Sequence, residues 1–218
     1  MARFYSLKKK DEDDAKTADP FGVLRPKVKN AEQQQVNIYD MAKAYVFLAD
    51  GFEDIEALAP VDILRRGGID VKTVSINATD MVASAHGVQV KADMMFADAD
   101  FSDADLLMLP GGMPGAKNLD EHEGVRHAEQ QKLIGAICAA PMVLGHLGLL
   151  RGKRATCYPG FETELEGATY TAEPCTADGN IITGKGPGAS FAYAYRLLEE
   201  FKGASVVEEL KKGMMYEF

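Results

Sequence analysis

The 218-residue sequence predicts an α/β fold, a doubly wound and mostly parallel sheet with helices on both faces. Short apolar runs of strand character alternate with longer stretches of helical period from residue 44 to residue 214. The runs at 44–49, 105–109 and 133–137 are apolar almost throughout, as strands covered on both faces are. Each ends in a turn of small residues or Asp-Gly, and the first and third lead directly to a helical pattern.

In chain order, residues 44–49 read as the first buried strand, and Asp50-Gly51 turns the chain. A helix follows from Glu53 to Arg66, with Ile55, Leu58, Ala59, Ile63 and Leu64 as its apolar stripe. Arg65 and Arg66 complement its C-terminal dipole, and Gly67-Gly68 ends it. Pro60 interrupts it and leaves the Glu56 carbonyl without its helical donor, which predicts a distorted turn. Residues 69–76 form the second strand, and 82–90 read as a short hairpin around Ala85-His86-Gly87. Residues 105–109 form a strand that runs into Pro110-Gly111-Gly112, and a helix is expected over 123–132. Next come the strand at 133–137, Cys138, and a buried helix opening at Pro141. A strand at 155–158 ends at Pro159-Gly160, and 171–183 read as a hairpin turning at Asp178-Gly179-Asn180. The loop 184–188 precedes helices over 190–201 and 205–214. Residues 1–40 differ: a lysine run meets an acidic run, prolines and glutamines come next, and no apolar period is sustained. They read as a leader, flexible or outside the domain, with the single domain at 41–218.

Composition narrows the function. A net charge of −9 and a pI near 5.0 argue against nucleic acid and against an anionic membrane surface as partners. The three cysteines, Cys138, Cys157 and Cys175, show no framework spacing, which points to free thiols and a cytoplasmic setting. No Cys/His cluster has zinc-ligand spacing, so no metal is expected.

Cys138 is the candidate nucleophile. It sits between a buried strand and a helix start, where a helix N-terminus is expected to lower a thiol pKa. In a parallel sheet, ligands bind at the carboxyl ends of strands, so Asp50 to Glu56, Gly111-Gly112, Cys138 and Tyr158 should converge. His122 and His127 read as surface residues of a helix, and His146 lies eight residues along the Cys138 helix, about 12 Å away. His86 lies in a turn that can reach the site, including that of another subunit. Among the carboxylates at the first helix start, Glu53, Asp54 and Glu56, the last is the best partner for the thiol. Gly111 and Gly112 are placed to offer backbone N–H groups to an oxyanion. Cys157 and Cys175 read as packing or surface residues.

Four segments, Ala49-Asp50-Gly51-Phe52-Glu53-Asp54-Ile55-Glu56, Leu109-Pro110-Gly111-Gly112, Ala136-Ile137-Cys138-Ala139-Ala140-Pro141 and Gly186-Pro187-Gly188, together resemble the ThiJ/PfpI superfamily, nearest its protein deglycase branch. The resemblance implies a flavodoxin-like fold of the class I glutamine amidotransferase type, usually as a homodimer. It places the reactive cysteine on Cys138, its glutamate on Glu56, and the oxyanion donors on Gly111 or Gly112 and on Ala139. It implies cofactor-independent glyoxalase or deglycase chemistry on small aldehydes or glycated substrates. The alternative is a redox-sensing or chaperone-like stress protein in which Cys138 is oxidised without turnover. The superfamily's peptidase branch carries His after the cysteine, where this chain has Ala139, so a thiol peptidase or amidotransferase relative is disfavoured. Tyr158 stands where deglycase-branch members often carry His. Arg66 and His86 match positions that approach the site near the dimer interface, and with Tyr158 and Glu53 they complete the expected pocket.

Overall fold

The computed structural model describes residues 41–127 and 132–216, so the leader at 1–40 and part of the helix expected over 123–132 lie outside the described residues. The first strand, β1 (Lys43–Leu48), leads into α1 (Asp54–Arg66) and back to β2 (Asp70–Ser75). The hairpin of β3 (Met81–Ala83) and β4 (Gln89–Lys91) precedes a two-residue edge strand, β5 (Met94–Met95). Then come β6 (Leu106–Leu109), α2 (Gly115–Glu121), α3 (Glu123–His127), β7 (Leu133–Ile137) and α4 (Pro141–His146). The chain closes with β8 (Arg154–Ala155), β9 (Thr169–Tyr170), β10 (Cys175–Asp178), β11 (Ile181–Gly184) and α5 (Ser190–Gly213).

The main sheet has seven strands in the order β10-β11-β7-β6-β1-β2-β5. Only β10 runs antiparallel, as the return arm of the hairpin with β11. Taken in chain order, the five inner strands form the 2-1-3-4-5 arrangement of flavodoxin-like folds, with the winding direction switching between β1 and β6. Alternation of side chains along each strand divides the core into two layers. Ala44, Val46 and Leu48 of β1 join Leu106 and Met108 of β6 beneath α1 and α5. Tyr45, Phe47 and Ala49 join Leu107 and Leu109 beneath α2 and α4 on the other face. This double burial is why these strands read as unbroken apolar runs.

Several expectations are corrected. Helix α2 is new: the run Gly111-Gly112-Met113-Pro114-Gly115 reads as a loop, and only Ala116 and Leu119, both buried at helical spacing, hint at a helix beyond it. The expected strand at 155–158 shrinks to β8, which pairs in parallel with β9 outside the main sheet. Tyr158 is therefore not at a strand end of the main sheet. Its N–H instead donates to the Cys138 carbonyl at 2.8 Å. The two C-terminal helices form one run broken at Gly203, whose φ of 76° and ψ of 165° are not helical.

Candidate active site

The site is built where the winding direction switches. Three loops, after β1, β6 and β7, meet there. The first positions a glutamate. Glu53 caps α1, its Oε2 accepting from the Glu56 N–H at 2.8 Å, while its own N–H donates to the Gly111 carbonyl at 3.0 Å. The Glu56 side chain then points inward, and the residue is 0% exposed.

The third loop positions the sulfur. Cys138 has a φ of 65°, in the left-handed region that costs a residue with a Cβ about 1–3 kcal/mol. It is held there from both sides: its N–H donates to the Gly184 carbonyl of β11 at 2.9 Å, and its carbonyl accepts from Tyr158. The adjoining α4 starts at Pro141, with Ala140 as its cap. This sharp turn lifts the thiol off the sheet edge, so that Cys138 keeps 8% of its surface open to solvent.

The second loop, between β6 and α2, must approach both groups closely. A Cβ on Gly111 would lie 2.4 Å from Glu56 Oε2 and 2.6 Å from Cys138 Cβ. Gly112 combines a φ of 88° with a would-be Cβ 2.4 Å from the Glu53 nitrogen. The two glycines also divide their donors: the Gly111 N–H acts on Glu56, while those of Gly112 and Ala139 act on Cys138.

Neither Glu56 carboxylate oxygen has a hydrogen-bond partner of full geometry. Burial pushes this carboxyl up to about 7, and the weaker contacts to the Cys138 thiol and the Gly111 N–H offset only part of that cost. Cys138 departs from expectation. Burial pushes its thiol up, and the neighbouring Glu56 charge pushes it further in the same direction. The six-residue α4 and the two backbone N–H groups do not outweigh these effects. Two negative charges side by side in a dry site exclude one another, so the pair gives up one proton near 7 and holds the other tightly. The Gly112 and Ala139 N–H groups pull towards a charged sulfur but do not outweigh burial and Glu56, so the single charge falls on the carboxylate and the thiol keeps its proton.

The remaining candidates separate. Tyr158 is 47% exposed beside Gly186, whose would-be Cβ lies 3.1 Å from Tyr158 Cδ2 and 4.0 Å from Glu56 Oε1. His86 is exposed and pairs with Asp54 at 2.7 Å, which raises its imidazole above the ordinary value; within this chain its partner is Asp54 and not the thiol. Arg66 lies at the opposite end of α1 from Glu56, about 15 Å along the axis, and pairs with Asp62 at 2.7 Å. His146 is held between Asp120 and Glu164, at 2.9 Å from each. Cys157 is fully buried in the core layer beneath α4, and Cys175 is half-buried on the edge strand β10. Among the described residues, Glu53, Asp54 and His86 bring ligand atoms within 4.8 Å of one another, but Glu53 is engaged by the Glu56 N–H and the other two form an ion pair. Sequence pattern does not disclose the wall opposite Tyr158. Lys185, Gly186 and Pro187 line a cavity with it, and only the Gly186-Pro187-Gly188 motif signals that loop.

This fold and site define a flavodoxin-like α/β protein with a strained cysteine at the elbow after a central strand, set against a buried glutamate. Residues 42–200 match the DJ-1/PfpI family, and the chain belongs to that family. It is 37% identical over 175 residues to Protein DJ-1 homolog B of Arabidopsis thaliana; the match covers 77% of this chain and 40% of that longer protein, so the chain spans about two-fifths of that relative. It is 28% identical over 166 residues to Deglycase PYRAB04690 of Pyrococcus abyssi, covering 73% of this chain and 99% of that protein. The crystal structure of Drosophila melanogaster DJ-1beta superposes with a TM-score of 0.78 at 34% identity, covering 82% of this chain and all of that one.

The shared proton predicts a pH profile. Iodoacetamide alkylation of Cys138, followed by peptide mass, should rise only above the ordinary thiol range in the wild type. In Glu56→Leu the repelling charge and the contact that holds the thiol proton are gone, and the inflection should move down towards the ordinary thiol value. An inflection that stays in place or rises in Glu56→Leu would mean that Glu56 does not hold the thiol in its protonated form.

The buried carboxyl also predicts a stability trend. Because folding raises its pKa from 4.5 to about 7, the native state binds the proton more tightly. Wild-type stability is therefore full below 4.5 and declines as pH rises towards 7. Between pH 5 and pH 8, Glu56→Gln should gain about 2–3 kcal/mol on the wild type in urea unfolding. A difference that does not change with pH would remove this account of Glu56.

Proposed function

We propose that this protein is a cofactor-independent glyoxalase or deglycase acting on small α-oxoaldehydes, with Cys138 as nucleophile and Glu56 as the proton carrier. The observation that carries the reading is the fully buried Glu56 carboxyl, pushed up to about 7 and set against the strained Cys138. Membership in a family that includes a protein named deglycase supports it.

The chemistry balances without an external oxidant. The Cys138 sulfur attacks the aldehyde carbon, and a carbon–sulfur bond forms as the carbonyl oxygen takes a proton, giving a hemithioacetal. The backbone N–H groups of Gly112 and Ala139 hold the developing oxyanion. The Glu56 carboxylate removes the hydrogen from that carbon and returns it to the neighbouring carbonyl carbon, which oxidises the first and reduces the second. The resulting thioester takes up water, the carbon–sulfur bond breaks, and a 2-hydroxy acid leaves. A carboxyl that titrates near the working pH suits both giving and taking a proton. Tyr158 stands where a histidine is often found and brings no imidazole to the site, so Glu56 alone carries the transfer.

Methylglyoxal consumption tests the reading. The wild type should produce lactate, and Cys138→Ser should produce none. Glu56→Gln should lose about 10²–10⁴ in kcat while Cys138 remains open to alkylation. If the wild type leaves methylglyoxal untouched while dilute peroxide converts Cys138 to a stable sulfinate, the redox-sensing alternative replaces this one.

The working unit is proposed to be a homodimer in the cytoplasm. Ile55 and Leu58 on α1, with Met81 and Val88 of the hairpin, leave apolar side chains exposed. The hairpin is tied to the start of α1 by Gly51 N–H to Ala83 O at 2.8 Å and Ala85 N–H to Phe52 O at 2.7 Å, so these residues form one face near the site. Light scattering should give twice the chain mass for the wild type and the chain mass for Ile55→Asp; a monomeric wild type would overturn the dimer.

A further inference from the structure

The cavity that Tyr158 shares with the loop after β11 has a volume of about 320 Å³. Tyr158, Pro159, Pro174 and Pro187 give it apolar walls, and Gly186 forms the side nearest Glu56 Oε1. Lys185 contributes the charge. The residue is half-buried, its ammonium donates to the Ala172 carbonyl at 3.2 Å, and among the described residues it has no carboxylate partner, in a chain of net charge −9. An ammonium has three donors, so the remaining two are open to an anion. Tyr158, a residue 47% exposed, lines the same cavity with its ring against Gly186, and its own N–H is bonded to the Cys138 elbow.

We propose that this cavity is a specificity subsite for the far end of the aldehyde, and that it selects an aromatic α-oxoaldehyde whose ring carries a carboxylate. The ring packs between Tyr158 and the proline walls, and the carboxylate meets Lys185. The dicarbonyl end then lies at Cys138 and Glu56. A charge-assisted bond to the Lys185 ammonium adds affinity that methylglyoxal, too small to span the cavity, cannot gain. The proposal rests on the aldehyde reading above, and its test separates the two.

The experiment compares kcat/KM for methylglyoxal, phenylglyoxal and 4-carboxyphenylglyoxal in the wild type, Lys185→Met, Lys185→Glu and Tyr158→Ala. The wild type should prefer 4-carboxyphenylglyoxal over phenylglyoxal about tenfold, a size within reach of one charge-assisted hydrogen bond. The preference should vanish in Lys185→Met and invert in Lys185→Glu, with methylglyoxal turnover unchanged in both. Tyr158→Ala should lower both aryl substrates relative to methylglyoxal. Methylglyoxal turnover with no carboxylate preference, or a preference that survives Lys185→Met, overturns the subsite and leaves the aldehyde chemistry standing. If the wild type turns over none of the three, the aldehyde chemistry falls and binding decides the subsite. Benzoate should then protect Cys138 from iodoacetamide in the wild type and fail to do so in Lys185→Glu, while benzyl alcohol protects neither. Equal protection of both proteins, or of neither, overturns it.

Discussion

A carboxyl group with no solvent exposure and no full hydrogen bond, packed against a cysteine at positive φ, is a costly arrangement for a folded chain. The strain at Cys138 is about 1–3 kcal/mol, and the raised carboxyl withdraws a similar amount at neutral pH. Against a total stability of about 5–15 kcal/mol for a domain, neither survives unless the surroundings leave no alternative. The local architecture does that. The Cys138 backbone is bonded to β11 on one side and to the Tyr158 segment on the other. Glu56 is aimed inward by the cap that Glu53 places on α1, and that same residue is tied to Gly111. Glycine at 111 is then required, because a side chain there would occupy the space shared by the carboxylate and the cysteine.

The sheet makes this rigidity possible. Each central strand buries both faces, so the loops at its carboxyl end are anchored by two core layers at once. The switch in winding between β1 and β6 leaves a gap that no crossover helix fills, and the three loops bearing Glu56, Gly111-Gly112 and Cys138 meet in it. Here the main-chain donors sort by partner: Gly111 serves the carboxylate, Gly112 and Ala139 serve the sulfur.

The electrostatics follow from dryness more than from the helix. A six-residue helix provides a weak dipole, and the pair is governed by the exclusion of a second negative charge from a buried site. One proton shared between oxygen and sulfur suits a proton-transfer enzyme, and a thiol that keeps 8% of its surface open is also within reach of an oxidant. The same geometry thus underlies both readings of function, and turnover distinguishes them.

The strands are legible because two-sided burial writes continuous apolar runs, and α1 because its stripe, basic last turn and terminal glycines agree. Cys138 can be singled out from its place between a buried strand and Pro141, and Glu56 from its place in the turn that Pro60 disturbs. Other features depend on residues distant in sequence. The helix α2 hides behind a glycine-proline run, since its start is set by contact of Gly51 with Pro114 and Gly115. Tyr158 is placed by a hydrogen bond to Cys138 and not by a strand of the main sheet. Arg66 sits far from Glu56 along α1, and His86 is held by Asp54. The Cys138 thiol shifts against the expected direction because helix position is visible in a sequence, whereas burial beside Glu56 is not. The sequence by itself determined which residues are the candidates for chemistry and which strands are buried on both faces, because both are written in local pattern. Only the tertiary structure decided the charge state of the pair and the walls of the cavity, because both depend on how closely distant segments approach and exclude water.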